Sequence, residues 1–267
     1  MAITTLDGAL AGMRQPIEFV KGVTGTLVAG RPHSLLYLAG IPGAGTIPTP
    51  GISGAALTSY AGQLPFSNPV SGNSYLARLQ AQCTQAGTLM LCDRLWHNSG
   101  IDVTSTAEQT FTSSALIPAR DANGLQVGDG VYAGVEVHTT TGAGTPGLTL
   151  KYQNTTGDAT KTGVNQTATA ASSIAGTFYP LGLAAGDIGI QRAVSLQLSA
   201  TWTSGAIGVV LYRVIARLEL NAQIPNAIDM LTSGFPRMYD NTVPFLVFVP
   251  NTTTTSNIMG HMIYTQG

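Results

Sequence analysis

Apolar and polar residues alternate most strictly in residues 131–138, which read Val131-Tyr132-Ala133-Gly134-Val135-Glu136-Val137-His138. Side chains of a β-strand point alternately to the two faces of a sheet, so this stretch has one apolar face. The same period recurs in residues 148–153 and 194–202. The pattern predicts an antiparallel sheet in which residues 131–137 and 148–153 form a hairpin.

The rest of the C-terminal half extends this pattern. Residues 207–220 are apolar on both faces, which is typical of a central strand, and residues 245–249 and 258–264 are predicted to form a final strand pair. About seven or eight strands with turn signals between them indicate a β-sandwich or a jelly roll. The predicted domain is residues 116–267, and the fold class is mainly β.

The N-terminal half, residues 1–115, is predicted to be a mixed α+β segment that carries two short helices. In the first helix Thr5 is the cap, and Leu6, Leu10 and Met13 share one face. The second helix is predicted from residue 73 or 74 to Gly87, because Tyr75, Leu79 and Cys83 also recur at helical spacing.

Charge is scarce in this sequence. It has 12 basic and 13 acidic residues, which is 9% of the chain, against roughly 25% in an ordinary soluble domain. No basic stripe is present to neutralise phosphates, so nucleic-acid binding is not expected. No apolar run approaches the roughly 18 residues of a membrane span, and the first residues do not read as a secretory signal, so neither membrane insertion nor export is expected.

Two cysteines, Cys83 and Cys92, are too few for a disulfide framework and lack the paired spacing of a zinc site. We expect two buried free thiols, and the alternative is a single bridge between them.

Catalytic motifs are missing from the sequence, and the four histidines are scattered singly. Two groups remain as candidates. The residues around His97 suggest either a metal or catalytic site or a strand end with a local ion pair, and we favour the ion pair; the group is Cys92, Asp93, Arg94, His97 and Asp102. Glu136 and His138 share one strand face, with Lys151 as the expected partner of Glu136, and we favour a solvated sheet face over an acid–base pair.

Two other features have competing interpretations. Residues 121–124 with Asp129 faintly resemble a calcium loop but lack its spacing, so a turn between strands is predicted. A carbohydrate platform would need exposed aromatic residues, whereas Trp202 ends an apolar strand face and is expected in the core; Trp96 is the other tryptophan. No cofactor and no metal are predicted, and the chain is not expected to be an enzyme.

Seven segments together resemble structural proteins encoded by tailed bacteriophages. The segments are Thr5–Gly8, Ile117–Asp121, Gly128–Val137, Leu148–Asn154, Phe178–Leu181, Ala185–Gly189 and Gly234–Asp240. The resemblance covers most of the chain, and these phrases have no known catalytic meaning. It implies a virion component with β-sandwich character, of the capsid decoration (cement) type.

The resemblance also sets the expected partners and place. A decoration protein would bind the major capsid protein lattice and itself, as a homotrimer or homodimer, on a virion assembled in the host cytoplasm. The alternatives are a tail, collar or fibre component, or a module that binds host glycans. The expected assembly contacts are the first helix and the C-terminal strand, with the residues Leu6, Leu10, Met13, Ile258, Met259 and Met262.

Overall fold

The computed structural model describes residues 3–23, 25–112 and 114–267. In these residues there is one helix, α1 (Leu6–Ala11), and it is far too short to cross a membrane. The strands are β1 (Ile17–Val23), β2 (His33–Ser34), β3 (Gly40–Ile41), β4 (Ala55–Ala56), β5 (Ser74–Cys83), β6 (Gly87–His97), β7 (Gln109–Thr110), β8 (Val131–Thr139), β9 (Leu148–Asn154), β10 (Lys161–Thr162), β11 (Phe178–Leu181), β12 (Ile190–Leu198), β13 (Ala206–Leu220), β14 (Asn226–Asp229), β15 (Arg237–Met238), β16 (Pro244–Pro250) and β17 (Ser256–Gln266). The prediction of a mainly β, antiparallel protein is confirmed.

The chain divides into two compact units. The central unit consists of residues 47–57 and 94–213, and the terminal unit consists of residues 1–46, 58–93 and 214–267. This division differs from the predicted one at residue 115, because both chain ends and the last strands belong to one unit. β6 and β13 each begin in one unit and end in the other.

The central unit is a β-sandwich. One of its sheets has the order β10-β9-β12-β7, and in the other β8 lies between β11 and β13. The predicted hairpin of β8 and β9 is therefore wrong: β8 pairs with β11 and β13, whereas β9 pairs with β10 and β12. Their apolar faces meet across one core that contains Val135, Leu150 and Trp202. The alternating pattern correctly identified the apolar face of each strand. The same pattern fits two strands paired in one sheet and two strands that face each other from different sheets, so it could not choose between these arrangements.

The terminal unit has its own core and its own sheet, with the order β14-β5-β17-β1-β3 and β15 beside β14 on β5. β17 is central, since it pairs with β1 from Met262 opposite Ile17 and with β5 from Ile258 opposite Cys83. The predicted pair of residues 245–249 and 258–264 is wrong, because β16 pairs with β2 and β6 instead.

The predicted second helix is also wrong, because residues 74–83 form β5. Ala77, Leu79, Ala81 and Cys83 are buried, whereas Arg78 is exposed and Gln80 and Gln82 are half-buried, which is the alternation of a strand. Leu79 and Cys83 fit both a helical and a strand period. Backbone pairing with β17 and β14 decides between them, because tertiary context overrides local propensity.

One buried cation organises a loop of the terminal unit. The Nζ atom of Lys21 on β1 donates hydrogen bonds to the carbonyl oxygens of Leu38, at 2.8 Å, and Pro42, at 2.6 Å. Burial lowers the pKa of Lys21 to about 8. The ammonium group therefore holds the loop after β2 against β1 through backbone acceptors.

Candidate functional site

The α1 helix belongs to the terminal unit, and it begins where the sequence predicted. Thr5 is the N-cap, and its Oγ1 accepts a hydrogen bond from the Gly8 backbone N–H at 3.1 Å. The helix is fastened through its buried face, where Thr265 Oγ1 on β17 donates to the Ala9 carbonyl at 2.6 Å. A Cβ at Gly12 would lie 2.2 Å from the Gln266 carbonyl, so glycine permits this close approach.

Beside this buried face, α1 and the residues that follow it carry an exposed apolar ridge. Leu6 is 61% exposed, Leu10 is 53% exposed and Met13, just after the helix, is 38% exposed. All three predicted contact residues of this segment are therefore exposed, and Leu6 and Leu10 are neighbours one turn apart on α1. Their burial by a partner would remove apolar area from water, at about 25 cal/mol per Å².

We call the exposed residues Leu6, Leu10 and Met13 the α1 ridge. An apolar groove lies beside it. It has a volume of about 300 Å³ and is lined by Ile3, Thr4, Thr5, Leu6, Ala9, Met230, Leu231 and Phe235. Asp229 shapes its far wall, because Oδ1 accepts hydrogen bonds from the backbone N–H groups of Leu231 and Thr232, each at 3.0 Å. These bonds lower the pKa of Asp229, and the turn leaves Leu231 84% exposed.

Aromatic residues support the same wall of the groove. Phe235 has a left-handed backbone, with φ of 55°, and its ring stacks on Tyr75 at a centroid distance of 4.6 Å. The Arg237 guanidinium lies over Tyr75 and Tyr239, at 5.4 and 5.1 Å from the ring centroids. Sequence reasoning missed Met230, Leu231 and Phe235; the available signal was three large apolar residues among the turn residues Asp229, Ser233 and Gly234.

The predicted contact residues on the C-terminal strand separate onto two faces. Ile258 and Met262 are fully buried in the core of the terminal unit, so the expectation that they meet a partner is wrong for these two. The reason is the two-residue period of β17, which lies between β1 and β5 with this side turned inward. Met259 is half-buried, in register with Val20 on β1 and Gln82 on β5.

A second groove, of about 370 Å³, crosses this outer sheet face. It is lined by Glu18, Phe19, Val20, Gln80, Ala81, Gln82, Pro225, Met259 and Gly260. Arg78 Nη2 donates to Gln80 Oε1 at 2.7 Å, which leaves the Gln80 NH₂ group to donate elsewhere. We call this surface the Met259 face; neutral amide and apolar groups make up most of it.

The central unit contains a buried ionic cluster. It includes Glu136 and His138, for which a solvated sheet face was predicted. Arg94 Nη2 and Glu136 Oε2 are 2.6 Å apart, and neither side chain has any exposure. Arg94 Nε donates to His97 Nδ1 at 3.1 Å, and His138 Nε2 lies 3.7 Å from Glu136 Oε2. The expected pair of Glu136 with Lys151 is wrong, because Lys151 Nζ binds Glu108 Oε2 at 2.7 Å.

Electrostatics set the charge states within this ionic cluster. Burial lowers the pKa of His97 to about 3, with the neighbouring Arg94 charge acting in the same direction. An imidazole that accepts from Arg94 at Nδ1 is neutral, in agreement with that direction. Burial alone would raise the pKa of Glu136, but the Arg94 charge and the contact with His138 outweigh it and hold the pKa well below its ordinary value.

Other predicted features also have definite places. Cys83 and Cys92 are both buried free thiols, which confirms the first interpretation. Trp96 and Trp202 are both fully buried. Asp121 closes a turn by accepting from the N–H groups of Asn123, Leu125 and Gly128, as predicted. Across the described ranges no group of three or more His, Cys, Asp or Glu side chains is placed to hold a metal ion.

Comparisons with known proteins assign no family. No protein-family model matches the chain, and no curated protein matches it. Among solved structures, a chain of the cyanophage Pam1 capsid asymmetric unit aligns with 58% of this chain and 96% of its own length, at 16% identity and a TM-score of 0.25. The infectious bursal disease virus VP2 subviral particle aligns over 96% of this chain and 81% of its own, at 10% identity and a TM-score of 0.24. Likenesses this weak assign neither a fold nor a role.

Proposed function

We propose that this chain is a non-enzymatic structural protein of a virion, and that it binds a lattice of major capsid subunits as a decoration protein. The observation that carries the proposal is the grouping of exposed apolar side chains into two surfaces of the terminal unit, the α1 ridge and the Met259 face. Contiguous exposed apolar surface of this kind marks interaction sites. The resemblance of seven segments to tailed-phage structural proteins supplies the virion context.

The Met259 face is the proposed contact with the shell. Val20 and Met259 supply apolar area, and Gln80 and Gln82 supply neutral hydrogen-bonding groups. Covering such a surface avoids most of the cost of removing ions from water, which would otherwise offset much of the binding energy. The low charge of the whole chain fits a protein whose surface is partly covered by neighbours.

Stabilisation of the shell would follow from mass action. A protein that binds only the assembled lattice stabilises it by RT ln(1 + [L]/Kd) for each site, and many copies multiply this effect. The Arg94–Glu136 cluster has a different role in this proposal. It is sealed inside the central unit, so it acts as a structural ion pair and not as a site for a substrate.

Co-sedimentation with empty capsid shells tests the proposal. The full chain should pellet with shells, and Met259→Asp should reduce the bound fraction at least tenfold, because it brings a carboxylate into the contact. Leu125→Asp is the matched control, since Leu125 is an exposed leucine of the central unit. Failure of the wild-type chain to bind shells contradicts the decoration role, and undiminished binding by Met259→Asp contradicts the assignment of this face.

Copy number separates decoration from the alternative location. Hundreds of copies spread over each shell support decoration, whereas three, six or twelve copies at one vertex would indicate a tail, collar or fibre component. Quantitative mass spectrometry of purified particles provides this count.

A further inference from the structure

Residues 5–14, which we call the N-terminal strap, run along the end of β17 and are held there by backbone hydrogen bonds. The Gln266 N–H donates to the Gly12 carbonyl at 3.0 Å. The Arg14 N–H donates to the Tyr264 carbonyl at 2.9 Å. On its other side, β17 pairs with β5 along these same residues. The strap therefore covers a strand edge whose backbone groups would otherwise be open to another chain.

Little apolar burial supports this backbone pairing. Thr265 Oγ1 donates to the Ala9 carbonyl at 2.6 Å, and Arg14 Nε donates to Gln266 Oε1 at 2.8 Å. Ala9 is the one buried residue among residues 5–14, all of which the structure describes. Polar contacts and a single buried methyl group thus hold the strap on β17.

The strap is held less firmly than β1, the strand that follows it. β1 pairs with β17 at seven positions and buries Phe19, Lys21 and Val23. The six-residue helix α1 is too short to be stable alone, since isolated helices need about 12–15 residues in water, and Gly8 lowers its propensity further. Segments with few buried apolar contacts open locally, at a free energy far below that of global unfolding. We therefore expect the strap to open while β1 stays paired.

The edge of β17 selects for the sequence of the strap. A Cβ at Gly12 would lie 2.2 Å from the Gln266 carbonyl oxygen and 2.7 Å from Thr265 Oγ1, so glycine is required at this place. The bond from Arg14 to Gln266 Oε1 adds a second requirement two residues later. The pattern Gly-x-Arg occurs once in the sequence, at residues 12–14. The segment that fits the open edge is therefore the strap itself, from the same chain or from a second copy.

We propose that the N-terminal strap is an exchangeable arm: it opens independently of β1, and the edge of β17 that it leaves binds the same segment of a second copy. The two arrangements make the same contacts, so exchange is a low-cost route to association. The strap of the same chain has the advantage of a high effective concentration, so occupancy by a second copy rises with protein concentration. The exchange uses neither the Met259 face nor a capsid shell, and it does not rest on the proposed function.

Hydrogen exchange of the full wild-type chain, followed residue by residue by NMR, tests the opening. The N–H groups of Arg14 and Gln266 should have similar protection factors, roughly 100-fold below those of the N–H groups that pair β1 with β17. Protection of both groups equal to that of the β1–β17 ladder would mean that the strap does not open separately, which overturns the proposal.

A side-chain variant tests whether the named contacts hold the strap. Thr265→Val keeps the branched shape of the side chain and removes the donor to the Ala9 carbonyl. Loss of one hydrogen bond should lower the protection factors of Arg14 and Gln266 about fivefold and leave the β1–β17 ladder unchanged. Unchanged protection at both residues contradicts this assignment of the contacts.

A fluorescently labelled peptide of residues 3–16 tests binding in trans, measured by anisotropy. In the full chain, Gly12→Ala should displace the strap, because β17 is fixed between β1 and β5. The peptide should therefore bind this variant at least about tenfold more tightly than it binds the wild type, where the resident strap competes. Equal affinity for the two chains, or no binding to a folded Gly12→Ala chain, overturns the exchange.

Two control peptides show whether the fit at Gly12 decides binding. A peptide with Gly12→Ala should not bind, whereas a peptide with Gly8→Ala should bind as the unmodified one does. At Gly8 the nearest atom to a Cβ is Thr5 Oγ1, at 3.2 Å, which lies within the peptide and not on β17. Should the Gly12→Ala chain fail to fold, the same three peptides are compared on the wild-type chain at concentrations on the order of millimolar, which match the effective concentration of the resident strap. Equal binding of the unmodified and Gly12→Ala peptides overturns the proposal in either chain.

Discussion

In the central unit the ionic side chains of Arg94 and Glu136 lie inside the protein, whereas in the terminal unit the apolar side chains of Leu6, Leu10 and Leu231 lie on its surface. A buried charge has to be compensated by groups of the same chain, because water cannot reach it. An exposed apolar group is compensated only when a partner covers it. The two sites therefore differ: the ion pair is satisfied within the chain, whereas the exposed leucines remain in contact with water.

The largest expected effect comes from breaking the buried pair. Arg94→Met removes the cation beside the buried Glu136 carboxylate and should lower the free energy of unfolding of the central unit by about 3–5 kcal/mol. Guanidinium denaturation followed by tryptophan fluorescence reports on this unit, because both Trp96 and Trp202 belong to it.

The matched control for that measurement removes both ions. Arg94→Met with Glu136→Leu should recover most of the lost stability, since no unpaired charge remains. A single variant within about 1 kcal/mol of the wild type would contradict the view that the pair is sealed from water.

The next effect tests the packing of the terminal unit. A Cβ at Gly260 would lie 2.0 Å from the Gln80 carbonyl oxygen and 2.7 Å from the Ala81 Cα, so backbone must shift. Gly260→Ala should cost about 2–3 kcal/mol, seen as faster hydrogen exchange in β5 and β17. Gly43→Ala, where nothing lies within 4 Å, is the control and should leave exchange unchanged. Equal hydrogen-exchange rates in the two variants would contradict the prediction, because they would show that the backbone near Gly260 accommodates a Cβ without loss of stability.

Acid should destabilise the central unit by a smaller amount. The pKa of His97 is about 3 in the folded protein and 6.5 ordinarily, so on acidification the unfolded chain binds the proton first. Stability is therefore fully present above about pH 6.5 and is lost as the pH falls toward 3; the lowered pKa of Glu136 acts in the same direction below its ordinary 4.5.

Between pH 7 and pH 5 we expect a loss of about 1–2 kcal/mol in the denaturation experiment. His97→Asn keeps an oxygen that accepts from Arg94 but does not titrate, and it should flatten this dependence. An unchanged pH dependence in His97→Asn would assign the acid sensitivity to other groups.

The smallest effect concerns the exposed ion pair. Lys151 and Glu108 are 2.7 Å apart, but their side chains are 42% and 36% exposed, so water competes for both charges. Lys151→Ala should change the free energy of unfolding by about 0–1 kcal/mol, several times less than Arg94→Met at a similar distance. If Lys151→Ala lowered the free energy of unfolding as much as Arg94→Met does, burial could not be the reason why the two ion pairs differ in stability.

The burial of Glu136 could not be predicted from the sequence. Alternation along β8 correctly places Val135 and Val137 in the core, and it assigns Glu136 and His138 to the other face. That face is buried too, because Arg94 from β6 reaches Glu136 and also donates a hydrogen bond to His97. A period of two tells which residues share a face, but it carries no information on what covers that face.

The predicted contact residues of the C-terminal strand β17 also lie on different faces of the sheet. The sequence marked Ile258, Met259 and Met262 as one apolar group, although only Met259 lies on the outer face of β17. The ridge of Leu6, Leu10 and Met13 was predictable because a short, capped helix at a chain end has a defined apolar face. Its groove was not, because Leu231 and Phe235 come from a loop more than 200 residues away along the chain.

The sequence alone determined the properties that depend on neighbouring residues or on composition: an antiparallel β class, the Thr5 cap, two cysteines without a framework and a low content of charged residues. Tertiary structure alone decided that β5 is a strand, that β8 and β9 lie in different sheets and that Arg94 neutralises Glu136. The physical reason is that strand hydrogen bonds and buried ion pairs join residues far apart in the chain. Local alternation satisfies many such pairings equally, and the packing of the whole chain selects one of them.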